Sequence, residues 1–335
     1  MNWKLVGSIL GVGAFLLIMV LLWFLYKWYM KLTKPFEDLW YGPEGVIRYH
    51  VEDIVTAIDN FHSRHEIGAG GFGKVYYAVL DGKEVAIKRA NSSSIQSTSG
   101  FRNEVVLLSR LHHVNLVRLL CFCEGEGIQI LVYEYMSNGN LFTMLFKRKT
   151  SLSGLTRLDI AIGVAHGLEY LHTFVGPPVI HRDVKPSNVL LDNNLVAKLS
   201  DFGSRKPYGT AGYIDPQYVL IEQLTSASDV YSFGVVLLEL VIGHKSIDNA
   251  QIDGQNLVEW VAVKLSSEGP ESVVDKRLGN DYPKQIFHDI IRLGLDCAAF
   301  KSGERPSMKA AVTILDACRW SVATDVLYRM TRSPP

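Results

Sequence analysis

The residues best suited to chemistry lie in one stretch, 181–188, which reads His-Arg-Asp-Val-Lys-Pro-Ser-Asn. It combines Asp183, Lys185 and Asn188, and Asp201 follows shortly afterwards in the sequence Asp-Phe-Gly. Carboxylate and amide oxygens suit a hard cation such as Mg²⁺, and a lysine suits the phosphate group that such a cation accompanies. The stretch therefore predicts either a site for a magnesium-bound phosphate or an ordinary polar loop, and the rest of the chain must decide.

A glycine-rich segment upstream has the spacing G-x-G-x-x-G at Gly68, Gly70 and Gly73. Alone this pattern is a weak signal, because dinucleotide-binding folds use it at the start of a helix. Here β-branched and aromatic residues follow over 75–80 and 83–88, separated by an Asp-Gly pair, which is typical of a hairpin. The glycines are therefore predicted to lie in a turn between strands, as a flap whose backbone N–H groups cover phosphates.

The hairpin ends at Lys88, and a helix is predicted over 99–111 with Glu104 in it. A strand lysine and a helix glutamate could pair across a cleft, whereas most single glutamates are unpaired surface residues. Apolar runs at 116–122 and 128–133 predict two more strands, and a turn cluster after them marks the boundary of a small strand-rich lobe.

After residue 140 the pattern becomes helical, with a helix predicted over 155–172 and a short strand around 179–180. Two short apolar runs after the 181–188 stretch predict a small hairpin that brings Asn188 and Asp201 together. Further helices are predicted over 226–243, 256–266, 284–300 and 307–317. Strands first and helices second indicate an α+β fold.

Composition excludes some classes of function. The chain has 34 basic and 34 acidic residues, so nothing in its charge favours nucleic acid as a partner. The four cysteines have neither zinc-finger spacing nor the density of a disulfide framework, which favours core thiols in a reducing compartment.

The N-terminal region indicates a membrane anchor. Residues 5–26 carry no charge, and as a helix they would span about 33 Å, enough for a hydrocarbon core of about 30 Å. A cleaved signal peptide would have a shorter apolar region that ends in small residues. Lys27, Lys31 and Lys34 follow the span, so the C-terminal side is predicted to be cytoplasmic. Gly7 and Gly11 have a spacing that could let two such helices approach.

Taken together, the motifs resemble the eukaryotic protein kinase signature over about residues 61–320. The resemblance implies the bilobal kinase fold, with a small antiparallel-sheet N-lobe (61–135) that has one helix and a larger helical C-lobe (136–320). The other predicted regions are an extracellular stub (1–4), the transmembrane helix (5–26), a juxtamembrane linker (27–60) with a short amphipathic helix at 51–58, and a C-terminal tail (321–335).

The resemblance also implies roles for residues. Asp183 is expected to be the catalytic base and Lys185 to steady the transferred phosphoryl group, while Asn188 and Asp201 hold Mg²⁺. Lys88, held by Glu104, is expected to contact the phosphates of ATP. The ATP-binding residues that the resemblance implies are Ile67, Gly68, Gly70, Gly73, Val75, Ala86, Lys88, Glu104, Glu134 and Met136.

Finer features resemble plant receptor-like kinases of the Pelle-related group. They are the segments 131–141, 185–192, 209–216 and 229–235, and the region around Glu104 is most similar to the crinkly-type subfamily. Lys185, two residues after Asp183, resembles the serine/threonine class. The resemblance implies a protein substrate, a plasma-membrane location, and a co-receptor or a second copy of the chain as partner.

Three departures from the family bear on function. Only residues 204–214 separate Gly203 from Asp215, which is short for an activation segment, and Ser204, Tyr208 and Thr210 are the hydroxyls that remain there. A membrane-tethered pseudokinase or scaffold is therefore the alternative to an active kinase. We expect Thr210 to be a structural partner of Asp183.

The second departure is Gln217, which stands where the family usually has a glutamate that pairs with a buried arginine, here Arg305. We expect Arg305 to lose its counter-charge and the loop to lose some rigidity. The third is that about four residues precede the apolar span, which fits either an anchored receptor-like cytoplasmic kinase or a chain truncated at its N-terminus.

Overall fold

The computed structural model divides the chain into two units, Met1–Gly42 and Pro43–Pro335. It describes residues 19–25, 27, 43, 46–70, 73–91, 98–125, 127–148, 150–202, 209–247, 256–279 and 282–332. In the first unit residues 19–25 are helical with exposed apolar side chains, and the rest of the predicted span at 5–26 lies outside the described residues. Within the described ranges, no helix is both long enough and apolar enough to cross a membrane.

The second unit begins with a six-stranded sheet in the order β1-β5-β6-β4-β3-β2, in which only β1 and β5 are parallel neighbours. A two-stranded sheet, β7-β8, lies further along the chain and is the predicted small hairpin. The strands are β1 (Ile47–Arg48), β2 (Glu66–Gly70), β3 (Gly73–Leu80), β4 (Lys83–Ala90), β5 (Leu119–Gly125), β6 (Ile128–Glu134), β7 (Val189–Leu191) and β8 (Ala197–Leu199).

Helices form in the predicted order, together with two short ones, at 141–146 and 216–221, that were not predicted. They are α1 (Val51–Ala57), α2 (Thr98–Ser109), α3 (Leu141–Phe146), α4 (Gly154–Glu169), α5 (Pro216–Ile221), α6 (Ser226–Ile242), α7 (Leu257–Glu268), α8 (Lys284–Cys297) and α9 (Met308–Arg332). The bilobal architecture is confirmed: the six-stranded sheet with α1 and α2 forms the smaller lobe, and the helices from α3 onward form the larger one.

The larger sheet has two distinct faces, because successive side chains of a strand point to opposite sides. Tyr76 and Ala78 of β3 and Ile87 of β4 point into one buried core. The alternate residues Ala86 and Lys88 therefore face the other side, toward the larger lobe. This parity places the predicted lysine on the face where a cleft between the lobes can form.

Helix α1 closes the core face. The amphipathic helix predicted at 51–58 is confirmed, and Ile54 and Ile58 are both fully buried against the sheet. Helix α2 lies on the opposite face, where the Phe101 and Phe122 rings are 6.4 Å apart. The sheet is thus covered by a helix on each side. Helix α2 is the one helix that the resemblance implied for residues 61–135, and α1 belongs to the region predicted as the juxtamembrane linker.

Two sequence predictions about the larger lobe were wrong. No strand forms at 179–180: Val179 donates its N–H to the Leu171 carbonyl at the end of the preceding helical turn. The prolines at 177 and 178 have no N–H to offer a sheet neighbour. The last helix was predicted to end at 317, but α9 continues to Arg332, into the region predicted as a tail.

We predict that Ile54→Ala will lower the free energy of unfolding by about 2–5 kcal/mol, because it leaves a cavity between α1 and the sheet. Ile314→Ala is a matched control, since Ile314 also lies on a helix but is 41% exposed. Denaturant unfolding of both variants measures the difference. Equal, small effects would show that α1 does not stabilise this lobe.

Candidate active site

The glycine-rich segment forms the predicted hairpin. Its two arms are antiparallel, with Gly68 paired to Val75 and Gly70 paired to Gly73, while residues 71–72 lie outside the described part of the chain. Gly73 has a φ of +150°, and a Cβ there would lie 1.9 Å from the Arg89 carbonyl oxygen. Only glycine fits at this position, so the sequence requirement has a direct steric cause.

Lys88 lies in the middle of the sheet, opposite Val75 on one side and Leu131 on the other. Its ammonium group contacts the Asp201 carboxylate at 2.5 Å, across the boundary between the two lobes. Asp201 adopts a left-handed φ of +57°. Two residues that the sequence predicted for one site, 113 positions apart, are therefore brought together.

Tyr133 lies on the same face of the sheet as Ala86, its partner on β4. Tyr133 lies at the end of β6, one residue before Glu134. Burial raises the pKa of the Tyr133 phenol, and the negative charges of Asp201 and Glu104 add to this. The charges of both carboxylates thus act on Tyr133, which was not among the predicted site residues.

Two of the predicted ATP-binding residues, Glu134 and Met136, differ in what they offer to a ligand. Met136 is buried, and its carbonyl accepts the Gly139 N–H at 3.1 Å. The Glu134 carboxylate is directed away, because it accepts a hydrogen bond from the Arg118 N–H and forms an ion pair with Lys198 at 2.9 Å. Glu134 can therefore contribute to such a site through its backbone only.

Asp229, near the start of α6, binds the backbone of the stretch 181–188. The Asp229 carboxylate accepts the backbone N–H groups of His181 at 2.7 Å and Arg182 at 2.9 Å, and it contacts the His172 ring at 2.8 Å. Arg182 has a left-handed φ of +74°, an uncommon conformation for a residue with a side chain. Asp229 is 1% exposed, and in the sequence its motif indicated only a family resemblance.

In the same stretch, Asp183, Lys185 and Asn188 form one hydrogen-bonded cluster with Thr210. Lys185 Nζ donates to Asp183 Oδ2 at 2.8 Å and to Thr210 Oγ1 at 2.7 Å, and Thr210 Oγ1 donates to Asp183 Oδ1 at 2.6 Å. Asn188 Nδ2 donates to the Asp183 carbonyl at 2.8 Å. The predicted pairing of Thr210 with Asp183 is confirmed.

The segment after Thr210 is fixed by a buried carboxyl group on α6. Tyr213 donates its hydroxyl to Glu239 at 2.8 Å, and the Ser246 N–H donates to the same carboxyl at 2.7 Å. Burial raises the pKa of Glu239 to about 8, although both hydrogen bonds oppose the shift. Burial and the neighbouring Glu239 charge also raise the pKa of Tyr213.

The expectation for Arg305 was wrong. Its guanidinium group forms two hydrogen bonds with Asp215, at 2.7 and 2.8 Å, and both side chains are buried. Gln217 instead accepts the Ser302 N–H at 2.5 Å. Burial disfavours the charged form of Asp215, but the hydrogen bonds and charge of Arg305 lower its pKa. The carboxylate that balances the Arg305 charge is thus at position 215, two residues before the position where the family resemblance led us to expect it.

The predicted metal ligands, Asn188 and Asp201, lie at the ends of the β7-β8 hairpin. Ser200, next to Asp201, donates its N–H to the Asn188 carbonyl at 2.9 Å. Over the ranges that the structure describes, no three His, Cys, Asp or Glu side chains form a ready metal site. One carboxylate and one amide fit a cation such as Mg²⁺, which takes one or two protein ligands and completes its shell with phosphates.

Residues 203–208, which include Ser204 and Tyr208, lie outside the described residues. The description resumes at Gly209, immediately before Thr210.

Comparison with known proteins identifies related sequences. Residues 61–314 match the family described as Protein kinase domain. The chain is 41% identical over 324 residues to "Serine/threonine-protein kinase-like protein CCR4" of Arabidopsis thaliana, covering 86% of the chain and 43% of the relative. It is 44% identical over 300 residues to "Nodulation receptor kinase" of Pisum sativum, covering 84% of the chain and 32% of that protein.

A third relative is nearer in length. "PTI1-like tyrosine-protein kinase 2" of Arabidopsis thaliana is 40% identical over 289 residues, which cover 79% of each protein. In contrast, the alignment with "Putative leucine-rich repeat receptor-like serine/threonine-protein kinase At2g19230" covers 38% of that relative. The chain thus spans between 32% and 43% of the length of the other three relatives.

We predict that Asp215→Asn will destabilise the protein by about 3–5 kcal/mol, because it leaves the buried Arg305 charge without a partner. Adding Gln217→Glu to this variant should recover part of the loss, since it supplies a carboxylate beside Ser302, three residues before Arg305. Asp296→Asn, at an exposed helical position, is the control. No loss in Asp215→Asn, measured by denaturant unfolding, would contradict the assignment of the counter-charge.

We also predict a pH effect from Glu239. Because its pKa in the folded protein is about 8, above the ordinary 4.5, the unfolded chain releases this proton first as the pH rises. The stability that neutral Glu239 contributes is present below about pH 4.5 and is lost as the pH approaches about 8.

Glu239→Gln keeps the neutral form and should flatten this decline, by an amount on the order of a few kcal/mol. The free energy of unfolding measured between these pH values tests it. Glu259→Gln, at an exposed site, should keep the slope of the original protein. An unchanged slope in Glu239→Gln would refute the assignment.

Proposed function

The chain belongs to the protein kinase family, and on that premise we propose that it transfers the γ-phosphate of ATP to serine and threonine hydroxyls of proteins. The observation that carries this proposal is the hydrogen-bonded cluster of Asp183, Lys185, Asn188 and Thr210. A pseudokinase could keep the fold without needing this arrangement. Here every member of the cluster has the side chain that the transfer requires.

Asp183 would accept the proton of the substrate hydroxyl as that oxygen attacks the phosphorus atom. Thr210 and Lys185 hold both of its carboxylate oxygens, so the base is oriented before the substrate arrives. Two of the three N–H donors of Lys185 are bound to Asp183 and Thr210, and one is left for an oxygen of the transferred group. This lysine would offset the charge on that group.

The nucleotide would lie between the glycine-rich hairpin and the face of the sheet that carries Lys88. We assign the phosphates to Lys88 and to the backbone at Gly68, Gly70 and Gly73. Ile67, Val75, Ala86 and Met136 would enclose the adenine, with Glu134 contributing backbone only. Glu104 would orient Lys88.

Asn188 and Asp201 would hold Mg²⁺, which, when bound, neutralises the phosphates of ATP and positions them for transfer. The amide nitrogen of Asn188 is used by Asp183, so its amide oxygen is the atom available to a cation. Asp201 already contacts Lys88, which keeps the metal ligand and the phosphate-binding lysine within one hydrogen bond of each other.

The location and partners are proposed from the sequence and the relatives. We place the kinase domain on the cytoplasmic side of the plasma membrane, behind a single-pass anchor at residues 5–26, and the receptor-like relatives favour a co-receptor or a second copy as partner. The serine/threonine assignment is supported by Lys185 and by the names of most relatives, although one relative is named a tyrosine kinase.

The full chain in detergent, with ATP and Mg²⁺, should phosphorylate a mixed protein substrate such as casein, and Asp183→Asn should lower the rate by about 10²–10⁴-fold. Asp296→Asn, which changes an exposed carboxyl to the same amide, should keep the original rate. Phosphoamino-acid analysis of the product should find phosphoserine and phosphothreonine.

A product that contains mainly phosphotyrosine would contradict the assigned substrate class. ATP binding without transfer above the Asp183→Asn background would instead support the scaffold alternative, which the short segment between Gly203 and Asp215 motivates.

A further inference from the structure

A second concave site lies in the larger lobe, away from Lys88 and Asp201. A cavity of about 500 Å³ opens between the end of α6, the helix α7 and the segment 272–277. Its walls include Lys245, Lys264 and Lys276. A cavity of this size can accept a side chain or a small organic molecule.

The charge of this pocket is strongly positive, whereas the whole chain is neutral. Its one carboxylate, Asp275, is buried and forms ion pairs with both Arg157 and Arg277, at 2.7 Å each. That group of three residues therefore carries a net positive charge. Lys264 is offset by Glu268 at 3.1 Å.

The positive charges of two further lysines are not balanced by a carboxylate of the described residues. Lys245 and Lys276 are exposed at the rim, and neither has a carboxylate within ion-pair distance in the part of the chain that the structure describes. Lys147 adds another positive charge nearby, because it and Lys245 both lie over the Phe142 ring, at 5.6 and 5.9 Å. An anion entering the pocket would thus displace no carboxylate of the described residues from these lysines.

One wall of the pocket is aromatic. The Trp260 ring stacks on His244 with 5.5 Å between centroids, and Lys264 Nζ lies 5.5 Å from the centre of the Trp260 ring. A flat ring beside cationic groups suits an anionic group attached to an organic chain, because the apolar part has a surface to contact.

The pocket is joined to the loop that precedes α5. Lys245 is followed by Ser246, whose N–H bonds to Glu239, the carboxyl that also holds Tyr213. Gly212 and Ser246 lie close together, since a Cβ on Gly212 would be 2.5 Å from Ser246 Oγ. Thr210, at the start of this loop, contacts Asp183. The loop at 209–213 therefore contacts Asp183 at its start and, through Gly212 and Tyr213, the segment that carries Lys245.

We propose that this pocket binds a phosphate monoester on the protein substrate, so that the kinase prefers substrates that already carry phosphoserine or phosphothreonine. The inference rests on the proposed kinase function and adds a substrate class to it. A phosphate carries about −1.5 to −2 charges at pH 7 and three acceptor oxygens, which match the positive charges of Lys245 and Lys276. The concave shape and the continuity with the loop at 209–213 favour a phosphopeptide over a membrane surface.

The test uses the full chain in detergent and a peptide library with one serine acceptor and a second serine placed at each position in turn. Each peptide is made with that second serine either phosphorylated or free. We expect at least one spacing at which the phosphorylated form has a kcat/KM about tenfold higher, carried by KM, which corresponds to ~1.4 kcal/mol.

Lys245→Ala combined with Lys276→Ala should remove this preference, whereas Lys309→Ala, at an exposed position on α9, should retain it. Free phosphoserine added as a competitor should also reduce the preference if the pocket reads the phosphate group itself. An original protein without any preference, or a preference unchanged in the double variant, would overturn the proposal.

A binding measurement separates this proposal from the kinase function. If no peptide is phosphorylated, fluorescence anisotropy of labelled phosphorylated and free peptides still tests the pocket, with the same variants. Equal binding of both forms would refute it. Binding to phosphatidylserine vesicles that depends on Lys245 and Lys276, with no phosphopeptide preference, would replace the proposal by a membrane contact.

Discussion

The catalytic geometry depends on one buried carboxylate, that of Asp229. A buried carboxylate must replace the water that it loses with hydrogen-bond donors. Asp229 finds these donors in the backbone of the loop that carries Asp183, and in the His172 ring. The same bonds hold Arg182 in a left-handed conformation that its side chain disfavours. The loop presents Asp183 in one orientation because Asp229 binds its backbone. Thr210 and Lys185 then need only to fix the side chain of Asp183.

A second constraint is the alternation of side chains between the two faces of the larger sheet. Since alternate residues of β4 face opposite sides, Ile87 cannot enter the core unless Lys88 faces the cleft. Helix α1 covers the core face with Ile54 and Ile58, so the segment before the glycine-rich hairpin helps to fix the register of the strand that carries Lys88. This connection links the region that follows the predicted membrane anchor to the face of the sheet for which we propose phosphate binding.

How far the sequence can predict this protein depends on the range of each interaction. The hairpin of glycines, Lys88 on its strand and the residues of the 181–188 stretch were predictable, because short motifs and local periodicity specify them. The role of Asp215 was not, because its partner Arg305 lies 90 positions away and a glutamine at 217 suggests a lost charge. The pairing of a short segment at 179–180 failed for the related reason that a strand requires a neighbour, which no local pattern reveals.

Contacts with distant residues limit the effect of the short segment between Gly203 and Asp215. Thr210 is bound to Asp183, Tyr213 to Glu239, and Asp215 to Arg305. Each bond ties a residue downstream of position 209 to a loop or helix outside the segment, so none of them uses a residue from 203–208. The Asp215–Arg305 pair also supplies the buried charge balance that Gln217 cannot. A shortening between Gly203 and Gly209 therefore leaves the contacts that orient Asp183 in place, and its effect falls on what residues 203–208 themselves would offer to a substrate or a regulator.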